Sequence, residues 1–340
     1  MLCLLKAGES VAGDPTPVRL SLWTESTPYS DLERRLPEYQ RAQVSLHVAV
    51  HESEHISEEF FRLYRSAQKA GVEVRPWLLL SKSHGYWINK WNIDLAEKFI
   101  GKFIDEANAH GLSVNWITLD IEPPAELMHQ LEKCGRDMNL IGLVQTLRHS
   151  SKDGEIHSRV NQLRHFIEGL QKKGIRIHAV TTPLVLHDLG NQEMRIQSAL
   201  GVPFQSVPWD EVSFMVYREE YIRMVGEIGG DIVYQYGKLA RDYYGASAAL
   251  DLGEVGSAVF PDVFVGYTHH EQLQLDLQSG LAAGINRFHV YSLEGFTSLP
   301  GESWAAWLKL PPAKVPPSDW KARVLIWFLD SMSALLPSGT

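Results

Sequence analysis

Apolar and polar positions alternate along this chain in two periods that take turns. Short runs with period two, the mark of strands, fall at Val18–Trp23, Val44–His51, Val72–Leu80, Val114–Asp120, Ile175–Thr182, Val212–Tyr217, Ala246–Leu252 and Ile285–Leu293. Between them lie stretches of helical period, such as Leu95, Phe99, Ile100, Phe103, Ile104 and Ala107, and a closing helix is expected at about 318–336. Asp94 with Glu97, and Thr268 with Glu271, read as helix starts of the capping-box kind. Gly71, Gly111, Gly174 and Gly284 each stand between a helical run and the next strand, where the chain needs a left-handed residue.

Eight strands alternating with helices is the number that closes a parallel ring. The expected fold is α/β, a single (β/α)8 TIM barrel spanning residues 1–340 as one domain, with insertions in its βα loops. A doubly wound open sheet is the rival, but Thr24-Glu25-Ser26-Thr27-Pro28 after the first strand holds no glycine and offers no phosphate loop. The long segments Ser81–Ile93, Pro123–Glu155 and Glu254–Tyr267 follow strands three, four and seven. All three sit on the strands' carboxyl side, which points to a site built there.

Alternation also sorts residues by face. In the fourth run, Ile117, Leu119 and Ile121 suit the helix layer, so Trp116, Thr118, Asp120 and Glu122 point into the barrel. The same reading turns Arg19, Ser21 and Trp23 inward, with His47, Ala49, His51, Ser213, Met215, Tyr217, His289 and Tyr291. A purely structural barrel favours Val, Ile and Leu inside. Polar groups buried there need hydrogen-bond partners or they destabilise the fold, so function is a sensible reason for them. Asp120 and Glu122 stand about 6.5–7 Å apart along one strand face, close enough for their carboxyls to interact.

The segment Trp116-Ile-Thr-Leu-Asp120-Ile-Glu122-Pro resembles the strand-four signature of glycoside hydrolase family 18, the chitinases and their relatives, which reads Asp-x-x-Asp-x-Asp-x-Glu. Asp120 and Glu122 match its last two acids, while Asn115 and Thr118 stand at the two earlier positions. Met215-Val216-Tyr217 matches the family's strand-six Met-x-Tyr, with Arg218 where Asp is common, and Tyr291 stands at its strand-eight Trp. The resemblance implies Glu122 as the general acid on the glycosidic oxygen. It implies Asp120 as the carboxylate that orients a substrate acetamido group, and Tyr217 as a hydrogen-bond partner of that group. Thr118 in place of Asp removes one partner that manages the charge on Asp120.

A second mechanism fits the residues as well. Many retaining barrel glycosidases carry the acid/base on strand four and a nucleophile on strand seven, and Glu254, after Leu250-Asp251-Leu252-Gly253, holds the latter place. Trp23, Trp77, Trp87, Trp91, Tyr217, Tyr291 and Phe296 are candidate sugar platforms, and Met215 and Arg218 complete the expected substrate contacts. A catalytically inactive carbohydrate-binding barrel is the alternative from another functional class.

Net charge of −9 removes the basic footprint that nucleic acid or anionic membrane would require. Two cysteines, Cys3 and Cys134, form no metal signature, and the fourteen histidines show no HExxH spacing, so neither metal nor cofactor is expected. No serine lies in a Gly-x-Ser-x-Gly elbow. The opening apolar run is too short for a signal peptide, and no run approaches a membrane span. The chain is expected to be soluble, cytoplasmic as it stands and secreted if a leader has been removed, with a carbohydrate partner and no stated oligomeric state.

Overall fold

The strands begin and end within two residues of where the alternation puts them. In a computed structural model that describes residues 17–136, 142, 145–148, 155–189, 194–256, 266–299, 303–334 and 336, they are β1 (Arg19–Thr24), β2 (Val44–His51), β3 (Val74–Leu79), β4 (Trp116–Ile121), β5 (Arg176–Thr181), β6 (Glu211–Met215), β7 (Ala248–Gly253) and β8 (Arg287–Tyr291). Each pairs in parallel with the next, and β8 returns to β1, so the sheet is a closed eight-stranded (β/α)8 barrel. Closure leaves no open edge, which is why a strand such as β4 is buried from end to end.

The two faces of each strand go to different places. Leu46, Val48, Ile117, Leu119, Phe214 and Val290, among others, join one continuous apolar layer with the surrounding helices. Inside the ring a smaller cluster of Trp23, Ala49, Trp77, Leu79 and Val180 gathers, with Tyr86, Trp87, Met215 and Tyr291 packed on it. The rest of the interior is polar, as the alternation implies.

Gly71, Gly111, Gly174 and Gly284 all have positive φ, between 67° and 85°. A Cβ at Gly71, Gly111 or Gly174 would meet nothing within 4 Å. The backbone conformation, not crowding, is what asks for glycine there.

Helix starts differ from the expected caps by one or two residues. The helix Ile93–Ala109 takes Asn92 as its N-cap, leaving Asp94 in the first turn. Asp94 reaches across to Gln162 Nε2 at 2.6 Å and Arg159 Nη1 at 3.3 Å instead. The helix His270–Ala282 is capped at His269, with Gln272 rather than Glu271 reaching back to the backbone amides of Thr268 and His269 at 2.9 and 3.0 Å. The closing helix runs Trp320–Ser333. The segment after β4 opens with a helix at Ala125–Arg136, and most of its remainder lies outside the described residues, as does 257–265 after β7. Among the described residues no helix is long and apolar enough to cross a membrane.

Candidate functional site

At the amino end of the barrel the interior is charged. Glu211 accepts from Arg75 Nη1 at 2.6 Å and from Arg287 Nη1 at 3.2 Å, with Arg75 also on Glu73 at 2.7 Å. Burial alone pushes the Glu211 carboxyl up, but His289, Arg75 and His178 outweigh that and hold it well below the usual range. The Arg75 and Arg176 guanidiniums stack on the Trp116 ring at 4.1 and 4.2 Å. This plug closes the bottom of the ring.

One layer higher, His47, His178 and His289 enter from β2, β5 and β8 and are fully buried or nearly so. Their ring centroids lie 4.7–4.9 Å apart. His47 Nδ1 is 3.0 Å from Thr118 Oγ1, His178 Nε2 is 2.8 Å from Ser213 Oγ, and His289 Nε2 is 3.2 Å from Glu211 Oε1. Burial first, then the neighbouring imidazoles, hold His47 and His178 well below the ordinary histidine range. Among the described residues these three form a group that could hold a metal ion.

Trp23 lies over this layer. It stacks on His47 at 4.2 Å and donates its indole N–H to Asp251 Oδ1 at 2.8 Å. Burial pushes the Asp251 carboxyl up, opposed by His289, Ser213 and Trp23. The Trp23 and Trp77 rings meet edge to face at 4.9 Å and form the floor of the mouth.

Above that floor stand the acids of β4. Asp120 is 4% exposed, and its Oδ1 has no hydrogen-bond partner. Its carboxyl is pushed up from 3.8 to about 8, chiefly by burial, with Asp251 and Glu25 adding to the rise. A side-chain hydrogen bond with Glu122 and the Trp77 indole pull the other way. Glu122 itself is 7% exposed. Two carboxyls this close and this buried resist joint ionisation, so the pair retains one proton well above the ordinary carboxylate range.

Loops complete the rim. Ile88 N donates to Asp120 O at 2.9 Å and Glu122 N to Ile88 O at 3.0 Å, so the loop after β3 is zipped onto the end of β4. Asn92 staples that loop, donating to the carbonyls of His84 and Trp87 at 2.9 and 2.8 Å and accepting from Asn89 N at 2.8 Å. Tyr86 and Trp87 are thereby held against the interior cluster. The loop after β1 is fixed by Glu294 Oε1, which accepts from Thr24 Oγ1 and from the amides of Glu25, Ser26 and Thr27 at 2.8–2.9 Å. It presents Glu25 inward, where the Tyr86 hydroxyl donates to Oε1 and the Tyr291 hydroxyl to Oε2 at 2.8 Å.

The remaining candidates separate into two groups. Tyr217 is buried beside β7, with Asp251, Glu254 and Tyr291 near enough to add to what burial does in raising its hydroxyl pKa. Glu254 is buried and also acts on Tyr291, and Met215 packs half-exposed on the interior cluster. Trp23, Trp77, Trp87, Met215 and Tyr291 thus share the interior cluster on which Asp120 sits, while Tyr217 and Glu254 lie together with Asp251 and Tyr291 on the β7–β8 side. Arg218 does not join them: its guanidinium is engaged by Asp276 at 2.8 Å and Glu219 at 2.9 Å. Phe296 packs on Trp307 at 5.4 Å in the outer layer, and Trp91 lies outside the barrel under Lys90 Nζ.

Sequence reading missed His178 and Glu25. The first was findable, because Ile177, Ala179 and Thr181 share a parity that leaves Arg176, His178 and Val180 facing inward. The second depends on three loops meeting, which no local pattern records.

No family model matches the chain, and no curated protein sequence matches it. Solved structures do resemble it. They include the active domain 2 of a chitinase from Pyrococcus furiosus (13% identity, TM-score 0.43, covering 94% of this chain and 97% of that one). Others are a xylose isomerase-like TIM barrel protein from Mycobacterium smegmatis (11%, 0.41, 93% and 97%) and the HMG-CoA lyase from Brucella melitensis (11%, 0.41, 94% and 99%). Barrels of such different chemistry at such low identity assign no reaction to this one.

Proposed function

We propose that the protein is a glycoside hydrolase acting on an oligo- or polysaccharide, with Glu122 as general acid/base and Asp120 as the assisting carboxylate. The observation that carries this reading is the hydrogen-bonded Asp120–Glu122 pair, buried at the carboxyl end of β4 under a rim of aromatic side chains. Protonating a glycosidic oxygen requires a carboxyl that keeps its proton near neutral pH; the buried pair keeps one on its Asp120 side, and in the reaction it passes to Glu122 as Asp120 becomes the carboxylate. Trp77, Trp87 and Tyr291 supply faces on which a pyranose ring can stack, and Tyr217 supplies a hydroxyl to orient it. In the substrate-assisted route Asp120 then polarises an acetamido group, which attacks the anomeric carbon as Glu122 protonates the leaving oxygen.

Two other readings have specific support. Glu254 is buried at the end of β7 beside Tyr217 and Tyr291, the place a carboxylate nucleophile would take. A carbohydrate-binding barrel without turnover is favoured by Thr118, whose hydroxyl is turned to His47 and away from charge management at Asp120.

A panel of aryl glycosides and N-acetylated oligosaccharides, run with wild type, Glu122→Gln and Glu254→Gln, separates the three. Hydrolysis lost only in Glu122→Gln supports the substrate-assisted reading. Loss in both variants, with a glycosyl adduct on Glu254, supports the nucleophile. Equal hydrolysis of the unactivated oligosaccharides by wild type and Glu122→Gln removes Glu122 from the mechanism. Sugar binding without turnover by wild type leaves the binding barrel.

A further inference from the structure

We propose that His47, His178 and His289 form a binding site for one divalent transition-metal ion of the zinc class inside the barrel, below the carboxyl pair. The site is independent of the glycosidase reading, and its test makes no use of sugar turnover.

The two nitrogens of each ring have different surroundings. The outer nitrogen of each ring has a neighbour: Thr118 Oγ1 for His47 Nδ1, Ser213 Oγ for His178 Nε2, and Glu211 Oε1 for His289 Nε2. If all three outer nitrogens carry their hydrogens, those of His47 and His178 meet the Thr118 and Ser213 hydroxyls, while that of His289 lies near Glu211 Oε1 without forming a hydrogen bond to it. The nitrogens left over are His47 Nε2 and His289 Nδ1, 3.3 Å apart, and the buried, partnerless His178 Nδ1. That is the arrangement found around metal-ligating histidines, where a hydroxyl, carbonyl or carboxylate fixes the tautomer from behind.

Distances agree. One ring nitrogen from each histidine lies within 4.8 Å of the other two, and His47 Nε2 and His289 Nδ1 are 3.3 Å apart. Two imidazole nitrogens at 2.0–2.1 Å from a tetrahedral ion are themselves about 3.3–3.4 Å apart. The ring centroids, at 4.7–4.9 Å, fit rings turned toward a common centre, for which that geometry gives roughly 5 Å.

A network of hydrogen bonds alone accounts for less. His47 Nε2 and His289 Nδ1 can share a proton, but His178 Nδ1, on a fully buried ring, has no hydrogen-bond partner. A buried nitrogen of this kind destabilises the fold unless something answers its lone pair. A cation at the centre answers all three at once. Imidazole donors select zinc, cobalt, nickel, copper or ferrous ions over calcium and magnesium, which take oxygen ligands. Arg75 and Arg287 oppose a cation here, while Glu211 between them and Asp251 above offset their charge. Because the ligands come singly from β2, β5 and β8, no sequence spacing announces them.

The site is closed, so the ion must enter as the chain folds. The test refolds the full chain from urea with one equivalent of Zn(II) or Co(II), followed by desalting, metal analysis and visible spectroscopy. The expected result is one ion per chain and the ligand-field absorption of tetrahedral Co(II). In His178→Gln, whose amide can still meet Ser213 but which lacks the inner nitrogen, the ion and the absorption are expected to be lost while far-UV circular dichroism is retained. Should that variant fail to fold, Ser213→Ala decides: it keeps all three ligands and is expected to weaken retention against a chelator by about 10–100-fold. A wild-type chain that refolds with only trace metal and no absorption overturns the proposal. So does a folded His178→Gln that binds like wild type, or a Ser213→Ala that retains the ion unchanged.

Discussion

Replacing Asp120 by Asn tests the buried carboxyl pair without any substrate. In the fold the Asp120 carboxyl is pushed up from 3.8 to about 8. A carboxyl raised by folding favours the native state where it is protonated. Its penalty is absent below about pH 4, grows by about 1.4 kcal/mol for each pH unit between 4 and 8, and is constant above. The whole amounts to about 6 kcal/mol, of which about 4 accrues between pH 5 and pH 9. Asn is nearly the same shape and cannot ionise, so the variant lacks this penalty. Urea unfolding of both proteins at pH 5, 7 and 9 gives the difference in stability, in which the other groups raised by burial, Asp251 and Asp276, cancel to first order. The variant is expected to gain about 4 kcal/mol on wild type from pH 5 to pH 9. Curves that stay parallel within about 1 kcal/mol over that range would refute the reasoning, because the pair would then hold no extra proton.

Other predictions follow from the same geometry. Glu211→Gln leaves Arg75, itself buried, without its main counter-charge and is expected to destabilise the fold by about 3–5 kcal/mol in urea. Gly71→Ala, at φ 71° with open space around it, should cost only about 1 kcal/mol. Gly253→Ala is expected to cost more, about 1–3 kcal/mol, because its Cβ would come 2.8 Å from the Tyr291 carbonyl oxygen and press on Tyr217. Thermal melts of the two glycine variants side by side check the order.

What the sequence shows of this molecule depends on how local each feature is. Strands announce themselves because one face of each must be apolar against the helices, as Ile117, Leu119 and Ile121 are in β4. The same alternation turns Asp120 inward with no knowledge of its neighbours. Helix starts are off by a residue or two because competing side chains were available: Asn92 spends its amide on the preceding loop, and Gln272 does the work expected of Glu271. Arg218 reads as a substrate contact beside Tyr217, but the buried Asp276 on the helix His270–Ala282 takes its charge. Glu25 is the opposite case. Its importance comes from Tyr86 and Tyr291, which lie 61 and 266 residues away. The histidine layer is legible strand by strand, yet its meaning needs the ring to close and bring β2, β5 and β8 within reach of one another.

The role assigned to Glu122 meets its most direct test in the leaving-group dependence of Glu122→Gln. A general acid is needed in proportion to how poor the leaving group is. The variant is expected to cleave an activated dinitrophenyl glycoside nearly as fast as wild type, while losing about 10²–10⁴-fold on an unactivated oligosaccharide. Equal losses on both substrates, or none on either, would contradict the account.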